Sequence, residues 1–277
     1  MKSLDRVVKT ALEEDLGSGD ITSRLTLGPR SDSEGIILAR QDGVMAGLPV
    51  VEHVFLLLDP KVVVTAMVAE GAEFRTGQIV AELAGPTAAV LAGERVALNL
   101  LQRLCGVATL TARFVKAVAG TGATVLDTRK TTPGLRALEK AAVLAGGGRN
   151  HRFALYDGVL IKDNHIAVAG GVKQAIERAR AGAPHTMKIE IETTTLEQVR
   201  QALAAGADII MLDNMDLQTM AEAVALVDGR ALVEASGGMT PERVRAVAET
   251  GVDLISAGSI THSAPAVDIS LEIETSG

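Results

Sequence analysis

Six short apolar runs between residues 123 and 259, each ending in polar residues, alternate with amphipathic helical stretches. This rhythm restricts the fold more than any other feature of the chain. The runs are ATVLDTRK (123–130), GVLIKDNH (158–165), MKIEIETT (187–194), DIIMLDN (208–214), ALVEASGG (231–238) and DLISAGS (253–259). Between them lie PGLRALEKAAVLAG, GGVKQAIERARAG, TLEQVRQALAAG and TPERVRAVAETG. Strands alternating with helices of this length imply βαβ units and a parallel sheet. AAGADIIMLDN and ETGVDLISAGS share a small-Gly-small-Asp-apolar-Ile frame, and repeated βα units suggest closure into a barrel. Six strands fall short of the eight of a standard barrel. The expected fold class is therefore α/β, with an incomplete or atypical parallel βα barrel. Thr132-Pro133 and Thr240-Pro241 predict helix starts, each with an N-cap hydroxyl before a first-turn proline.

The first part of the chain reads differently. Residues 4–16 predict an amphipathic helix, ended by GSGDITS. From Glu34 to Leu91 the pattern is of short β runs such as GIILAR, KVVVTAMVAE and QIVAELAG, broken by Gly, Pro and Asp. A long helical pattern follows, from about Thr87 to Ala119. We therefore divide the chain into an N-terminal α+β, sandwich-like domain over 1–106, joined by 265–277, and a barrel catalytic domain over 107–264. AEGAEFRTGQIVAEL resembles half of a lipoyl or biotinyl carrier, but no lysine between Lys61 and Lys116 could carry the group. The domain reads instead as a lid and dimerisation surface.

Composition narrows the function. Hydrophobic residues make up 47% and aromatic ones only 2%, so the core must be built from Ala, Val, Leu and Ile. That suits parallel strands covered by helices. So few aromatics argue against a stacking platform for single-stranded nucleic acid. A formal net charge of -7 argues against general binding to a phosphate backbone. No apolar run approaches the ~18 residues of a membrane span, and the N-terminal stretch carries no signal-peptide apolar block. The single cysteine, Cys105, excludes an internal disulfide framework and sits at helical spacing from Leu98 and Leu101, as a core residue would. A reducing, cytoplasmic setting is expected.

Ligands of βα barrels and doubly wound sheets bind outside the carboxyl ends of the strands. In chain order those ends carry Asp127, Arg129 and Lys130; Lys162, Asp163, Asn164 and His165; Glu190 and Glu192; Asp213 and Asn214; Glu234 with Ser236-Gly237-Gly238; and Ser256-Ala257-Gly258-Ser259 with Thr261 and His262. Any one of these residues alone reads more readily as structural. Six polar ends in succession read as a ligand site. Lys162 follows two apolar residues, and an ammonium there needs an anionic partner, from the protein or from a ligand. Arginine and lysine clamp carboxylates and phosphates. Paired carboxylates hold Mg²⁺, usually beside a substrate phosphate. Gly/Ser loops that open onto helices offer backbone N–H groups to phosphate. The site thus suits an anionic small molecule beside a phosphorylated, Mg²⁺-bound partner. The Gly-Gly-Gly stretch before His151 and Arg152 reads as a flexible loop able to fold these two over the mouth.

Seven stretches together resemble the quinolinate phosphoribosyltransferase family, also called nicotinate-nucleotide pyrophosphorylase (carboxylating). They are EEDLGSGDIT, ERVALNLLQRLCGVATLT, LDTRKTTPGLR, GGGRNHRFALYDGVLIKDNHI, IEIE, MLDN and EASGG, in family order over nearly the whole chain. A paralogous group linked to molybdenum transport shares the fold but departs from LIKDNH, which this chain keeps. Ala154 stands where the family commonly has glycine, a change of local loop geometry. The resemblance implies a pentosyltransferase that moves phosphoribosyl from phosphoribosyl pyrophosphate to the ring nitrogen of quinolinate. Pyrophosphate and CO₂ leave, and nicotinate mononucleotide for NAD synthesis remains. By the matching motifs, Arg129, Arg152 and Lys162 clamp the two quinolinate carboxylates, with His151 nearby. Lys130 serves the same anion site and the diphosphate. Glu192 and Asp213 hold the ribose hydroxyls and Mg²⁺, and with Lys130 they form the implied catalytic set. The 5′-phosphate goes to Ser236, Gly237 and Gly238, to Ser256, Ala257 and Gly258, and to His262. Arg95, on a polar stripe with Asn99 and Gln102, is implied to reach the site of a second subunit in a homodimer. Two alternatives stay open: a phosphoribosyltransferase for nicotinate, and a barrel that only senses phosphorylated metabolites.

Overall fold

The computed structural model of the chain describes residues 2–27 and 31–274. The last three residues of the expected 265–277 segment lie outside this range. The described residues form two compact units. One comprises the chain up to Ala112, Thr131–Gly147 and the part from Ser263 onward; the other comprises Arg113–Lys130 and Gly148–His262.

The first unit holds helices α1 (Lys2–Leu16), α2 (Ile21–Thr26), α3 (Leu48–Leu58) and α5 (Arg136–Ala145), and most of α4 (Thr87–Ala117). Its strands are β1 (Asp32–Ala39), β2 (Gly43–Val44), β3 (Val63–Ala66), β4 (Glu73–Phe74), β5 (Ile79–Pro86) and β12 (Ile269–Glu274). An antiparallel sheet runs in the order β12-β1-β5-β3, and β2 pairs with β4. Phe55, Phe74, Ile37, Met45 and Leu101 are fully buried in it. Cys105 is buried and unpaired, as its spacing predicted, and burial pushes its thiol up to about 12.

Three local expectations need correction here. The β reading of 34–91 missed helix α3. Its run of Val, Phe and Leu masks the helical period, and its first N–H groups are capped from far along the chain. Gly47 and Leu48 donate to the Glu70 carboxylate at 2.9 and 2.8 Å. GSGDITS not only ends α1 but starts α2, where Asp20 accepts from the Ser23 N–H at 3.1 Å. The two Thr-Pro pairs differ: the Thr240 hydroxyl accepts the Arg243 N–H at 3.3 Å, the expected cap, whereas Thr132-Pro133 only makes a turn closed by the Leu135 N–H on the Thr132 carbonyl; regular helix begins at Val244 and Arg136. The Thr132 hydroxyl is drawn away to Glu139 at 2.7 Å. Glu139 is fully buried and also receives Arg103 Nη2 at 2.8 Å. This knot holds Thr131–Gly147 in the first unit, whereas the sequence division kept 107–264 in one piece.

The second unit alternates strand and helix. Its elements are β6 (Thr124–Leu126), β7 (Val159–Ile161), α6 (Asp163–Ala169), α7 (Val172–Gly182), β8 (Ile189–Thr193), α8 (Leu196–Ala204), β9 (Ile209–Asp213), α9 (Leu217–Val227), β10 (Leu232–Ser236), α10 (Val244–Ala248), β11 (Leu254–Ser256) and α11 (Ser259–His262). All six predicted strands are present. They form one parallel sheet in the order β6-β11-β10-β9-β8-β7. Helices α7, α8 and α9 each bury one apolar stripe, including Ile176, Val199 and Met220. The sheet does not close. On its far side β6 meets Arg149 in a single parallel bridge through Leu126, and β7 remains the other edge. The expected incomplete barrel is what forms.

Candidate active site

Strand residues alternate between faces, so residues two apart share one side. On β8 this pairs Glu190 with Glu192, and on β10 Glu234 with Ser236. The outer member of each pair, Glu192 or Ser236, lines a cavity of about 850 Å³ at the strands' C-terminal ends. The inner members are buried below it, Glu190 at 5% and Glu234 at 1% exposure.

The cavity brings together all the predicted site residues of this unit. Arg129 and Lys130 come from the segment after β6, His151 and Arg152 from the segment after the Arg149 bridge, and Lys162 from the end of β7. Glu192 and Asp213 stand on β8 and β9. Ser236 ends β10 and Gly237 and Gly238 follow it; Ser256, Ala257, Gly258 and His262 close the other wall. Arg95 is not brought to it. It lies exposed on α4 in the first unit, with Glu94 at 3.9 Å as its ion-pair partner.

Local structure explains the placement. Lys162 is the N-cap of α6, in extended conformation, and its N–H donates to His165 Nδ1 at 2.9 Å. IKDNH is thus a strand-to-helix switch that leaves the Lys162 side chain facing the cavity, where its ammonium bonds Glu192. The anionic partner sought from the sequence is this carboxylate. The Lys130 carbonyl accepts from the Thr261 hydroxyl at 2.8 Å, which ties the first strand end to the last. Gly237 has φ +93, and a Cβ there would meet Asn214 Oδ1 at 2.2 Å. Only glycine fits that turn. Asn214 in turn donates to Asp213 Oδ2 at 3.0 Å.

Within the triple glycine Gly146 is needed for close packing, since a Cβ there would meet the Ala108 carbonyl at 2.4 Å, and Gly147 for a turn at φ +83. His151 does not fold over the mouth; it points inward. Its N–H donates to the buried Asp127 at 2.8 Å, and its Nε2 lies 3.0 Å from Glu190 and 3.7 Å from Glu234. The nearest oxygen or nitrogen of each of the three side chains lies within 4.8 Å of the others, a spacing that a cation would also accept. Glu190 and Glu234 are legible in the sequence only as polar strand ends; their spacing of two from Glu192 and Ser236 is the signal that sets them on the same strand face.

Charge is concentrated here. Burial lowers the Arg152 pKa first, and the neighbouring Arg129 lowers it further, while Glu190 and Glu192 oppose both. An anion bound between the Arg129 and Arg152 guanidinium groups would relieve that repulsion. Burial, and then Glu190, pushes the Glu234 carboxyl up to about 7.

The chain matches two family models. Residues 20–105 match the quinolinate phosphoribosyl transferase N-terminal domain and residues 107–272 the C-terminal domain. It is 48% identical over 263 residues to a probable nicotinate-nucleotide pyrophosphorylase [carboxylating] of Bacillus subtilis, covering 95% of this chain and 91% of the other. The nicotinate-nucleotide pyrophosphorylase structure from Francisella tularensis superposes with TM-score 0.95 at 37% identity, over 99% and 96% of the two chains. NadC from Streptococcus pyogenes gives 0.94 at 41%, over 98% and 97%. Motif order, sheet, cavity and relatives converge on one conclusion: the chain belongs to the quinolinate phosphoribosyl transferase family.

Proposed function

We infer that the chain transfers phosphoribosyl from phosphoribosyl pyrophosphate to quinolinate with loss of CO₂, giving nicotinate mononucleotide for NAD synthesis. One observation carries this. Arg129, Arg152 and Lys162 share a single cavity with Glu192, Asp213 and two Gly/Ser loops. The cations suit a dicarboxylate, and the loops suit a phosphate.

In this reading Arg129, Arg152 and Lys162 orient quinolinate so that its ring nitrogen faces the ribose carbon. Holding both reactants in line supplies much of the acceleration. That nitrogen is already a nucleophile and needs no general base. As the bond to pyrophosphate breaks, positive charge grows on the ribose, and Glu192 and Asp213 stabilise it. Lys130 receives the charge of the departing diphosphate. The adjacent carboxylate then departs as CO₂ and leaves its bonding pair on the ring carbon, where the positive charge of the neighbouring quaternary nitrogen stabilises it until that pair takes up a proton. Mg²⁺ bound with the donor would neutralise phosphate charge. The Asp213 and Glu192 carboxylates are donors of the hard type it prefers. Among the described residues Asp213 is engaged through Oδ2, which leaves its other oxygen for the ion.

We also place the reaction in a homodimer in the cytoplasm, with the N-terminal unit as lid and dimerisation surface and Arg95 serving the neighbouring site. Arg95 is exposed and only weakly paired in its own chain. Phe153, Leu155, Tyr156 and Val168 are exposed apolar residues of the second unit, a surface that a second copy would cover. A thiol that is buried and unpaired gains nothing from an oxidising compartment.

The test is competition between acceptors. Purified protein with phosphoribosyl pyrophosphate and Mg²⁺ should convert quinolinate and leave nicotinate untouched. Conversion of nicotinate at an equal rate would overturn the reading.

A further inference from the structure

The two acids under the cavity have no role in the reaction as described. Glu190 and Glu234 stand one strand layer below Glu192 and Ser236, buried at 5% and 1% exposure. Glu190 Oε1 and Glu234 Oε1 have no hydrogen-bond partner among the described residues. Acids placed this way are a poor means of stabilising a barrel interior, because leucine or valine fills such positions without desolvating charge. Both lie against the His151 imidazole, at 3.0 and 3.7 Å, and Glu234 also draws on the Ser256 hydroxyl.

Both ring nitrogens of His151 are engaged within the protein. Nδ1 accepts the Arg152 backbone N–H at 2.7 Å, so the ring proton sits on Nε2 and points at the acids. The backbone N–H of His151 is itself held by Asp127 at 2.8 Å. Arg152, fixed at its own N–H by the ring, has its guanidinium steadied by the Gly158 carbonyl, with Nη1 at 2.9 Å. The order of contact is carboxylates, imidazole, Arg152 backbone, guanidinium, cavity.

We propose that Glu190 and Glu234 are positioning residues that brace His151 from beneath, and that the braced ring fixes Arg152. The acids stop the ring from rotating. A fixed ring sets the direction in which Arg152 leaves the chain, and hence the spacing between its guanidinium and that of Arg129. The brace therefore sets specificity for an acceptor carrying two adjacent carboxylates. It leaves the phosphoribosyl side to the Gly/Ser loops.

This rests on the quinolinate reading, and the experiment separates the two. Wild-type chain is assayed first with quinolinate and phosphoribosyl pyrophosphate; failure there removes the reading itself. The pair Glu190→Leu/Glu234→Leu is then compared with Glu190→Gln/Glu234→Gln, since glutamine keeps an acceptor for the imidazole N–H and leucine does not. The leucine pair should raise KM for quinolinate at least about tenfold, while KM for phosphoribosyl pyrophosphate stays within about twofold. The glutamine pair should remain within about threefold of wild type for both. An unchanged quinolinate KM in the leucine pair, or equal rises for both substrates in folded protein, would overturn the proposal. If the leucine pair does not fold, Glu190→Leu alone carries the test, because Glu190 is the nearer acid. It should weaken quinolinate binding by calorimetry at least about threefold, and unchanged binding would be decisive against the brace.

Discussion

The Lys162 ammonium at the end of β7 is bonded to the Glu192 carboxylate on the adjacent strand β8. In the proposed reading Lys162 serves quinolinate and Glu192 the phosphoribosyl donor, so binding of the two requires this pair to open or be shared. The pair is only partly buried, with the lysine side chain 42% exposed, so exchange is feasible.

Removing either partner should have opposite effects on the first substrate. Lys162→Ala should raise KM for quinolinate by about tenfold or more, the worth of one charge-assisted bond, with donor KM within about threefold. Glu192→Gln should leave quinolinate affinity intact or tighter while lowering kcat at least about tenfold. Steady-state kinetics with each substrate varied in turn checks both. Similar losses for both substrates in both variants would contradict the assignment.

The turn at Gly237 should be intolerant in a specific way. Gly237→Ala places a Cβ against Asn214 Oδ1 at a φ of +93 and should cost about 1–3 kcal/mol of stability, with weaker donor binding. Asn214→Gly removes the obstructing atom and keeps the positive φ that Asn214 adopts. The double variant should recover part of the loss, a coupling that thermal unfolding can read. Simple additivity would contradict the geometry.

Much of this was readable in the chain. The six runs, their order and their polar ends located the sheet and the cavity, because a two-residue period and a βα rhythm are local signals. What was not readable depended on distant partners. Helix α3 is capped by Glu70, 22 residues on from Leu48. The Thr132 hydroxyl serves Glu139, seven residues away, instead of capping a helix. His151 sits beside three glycines that look flexible, yet Asp127 and Glu190 from other segments hold it inward. Strand alternation put Glu190 and Glu234 on the same face as the site, but not below it.

Burial of Glu234 should appear in the pH dependence of stability. Its carboxyl is raised from an ordinary 4.5 to about 7, so the folded chain keeps a proton that the unfolded chain releases. Stability from this group is complete below the lower value and is lost as pH rises through the higher one, by about 3 kcal/mol at most. Glu234→Gln removes that loss. The Tm difference, variant minus wild type, should therefore be larger at pH 8 than at pH 5. A difference independent of pH would show that Glu234 titrates as an ordinary carboxyl.

Sharing of sites between subunits predicts complementation. Arg95→Ala and Lys162→Ala homodimers should each be weak. Subunits mixed and reassorted should recover up to about one quarter of wild-type activity, because a mixed dimer carries one intact site. No recovery from verified mixed dimers would count against a shared site.

The central claim is that one cavity holds a dicarboxylate beside a phosphoribosyl donor and couples transfer to carboxylate loss. The most direct measurement uses quinolinate labelled in its 2-carboxylate and follows label release as CO₂ with purified chain and Mg²⁺. Release is expected only when phosphoribosyl pyrophosphate is present, one CO₂ for each pyrophosphate formed. Label released without the donor, or pyrophosphate formed without CO₂, would contradict the claim.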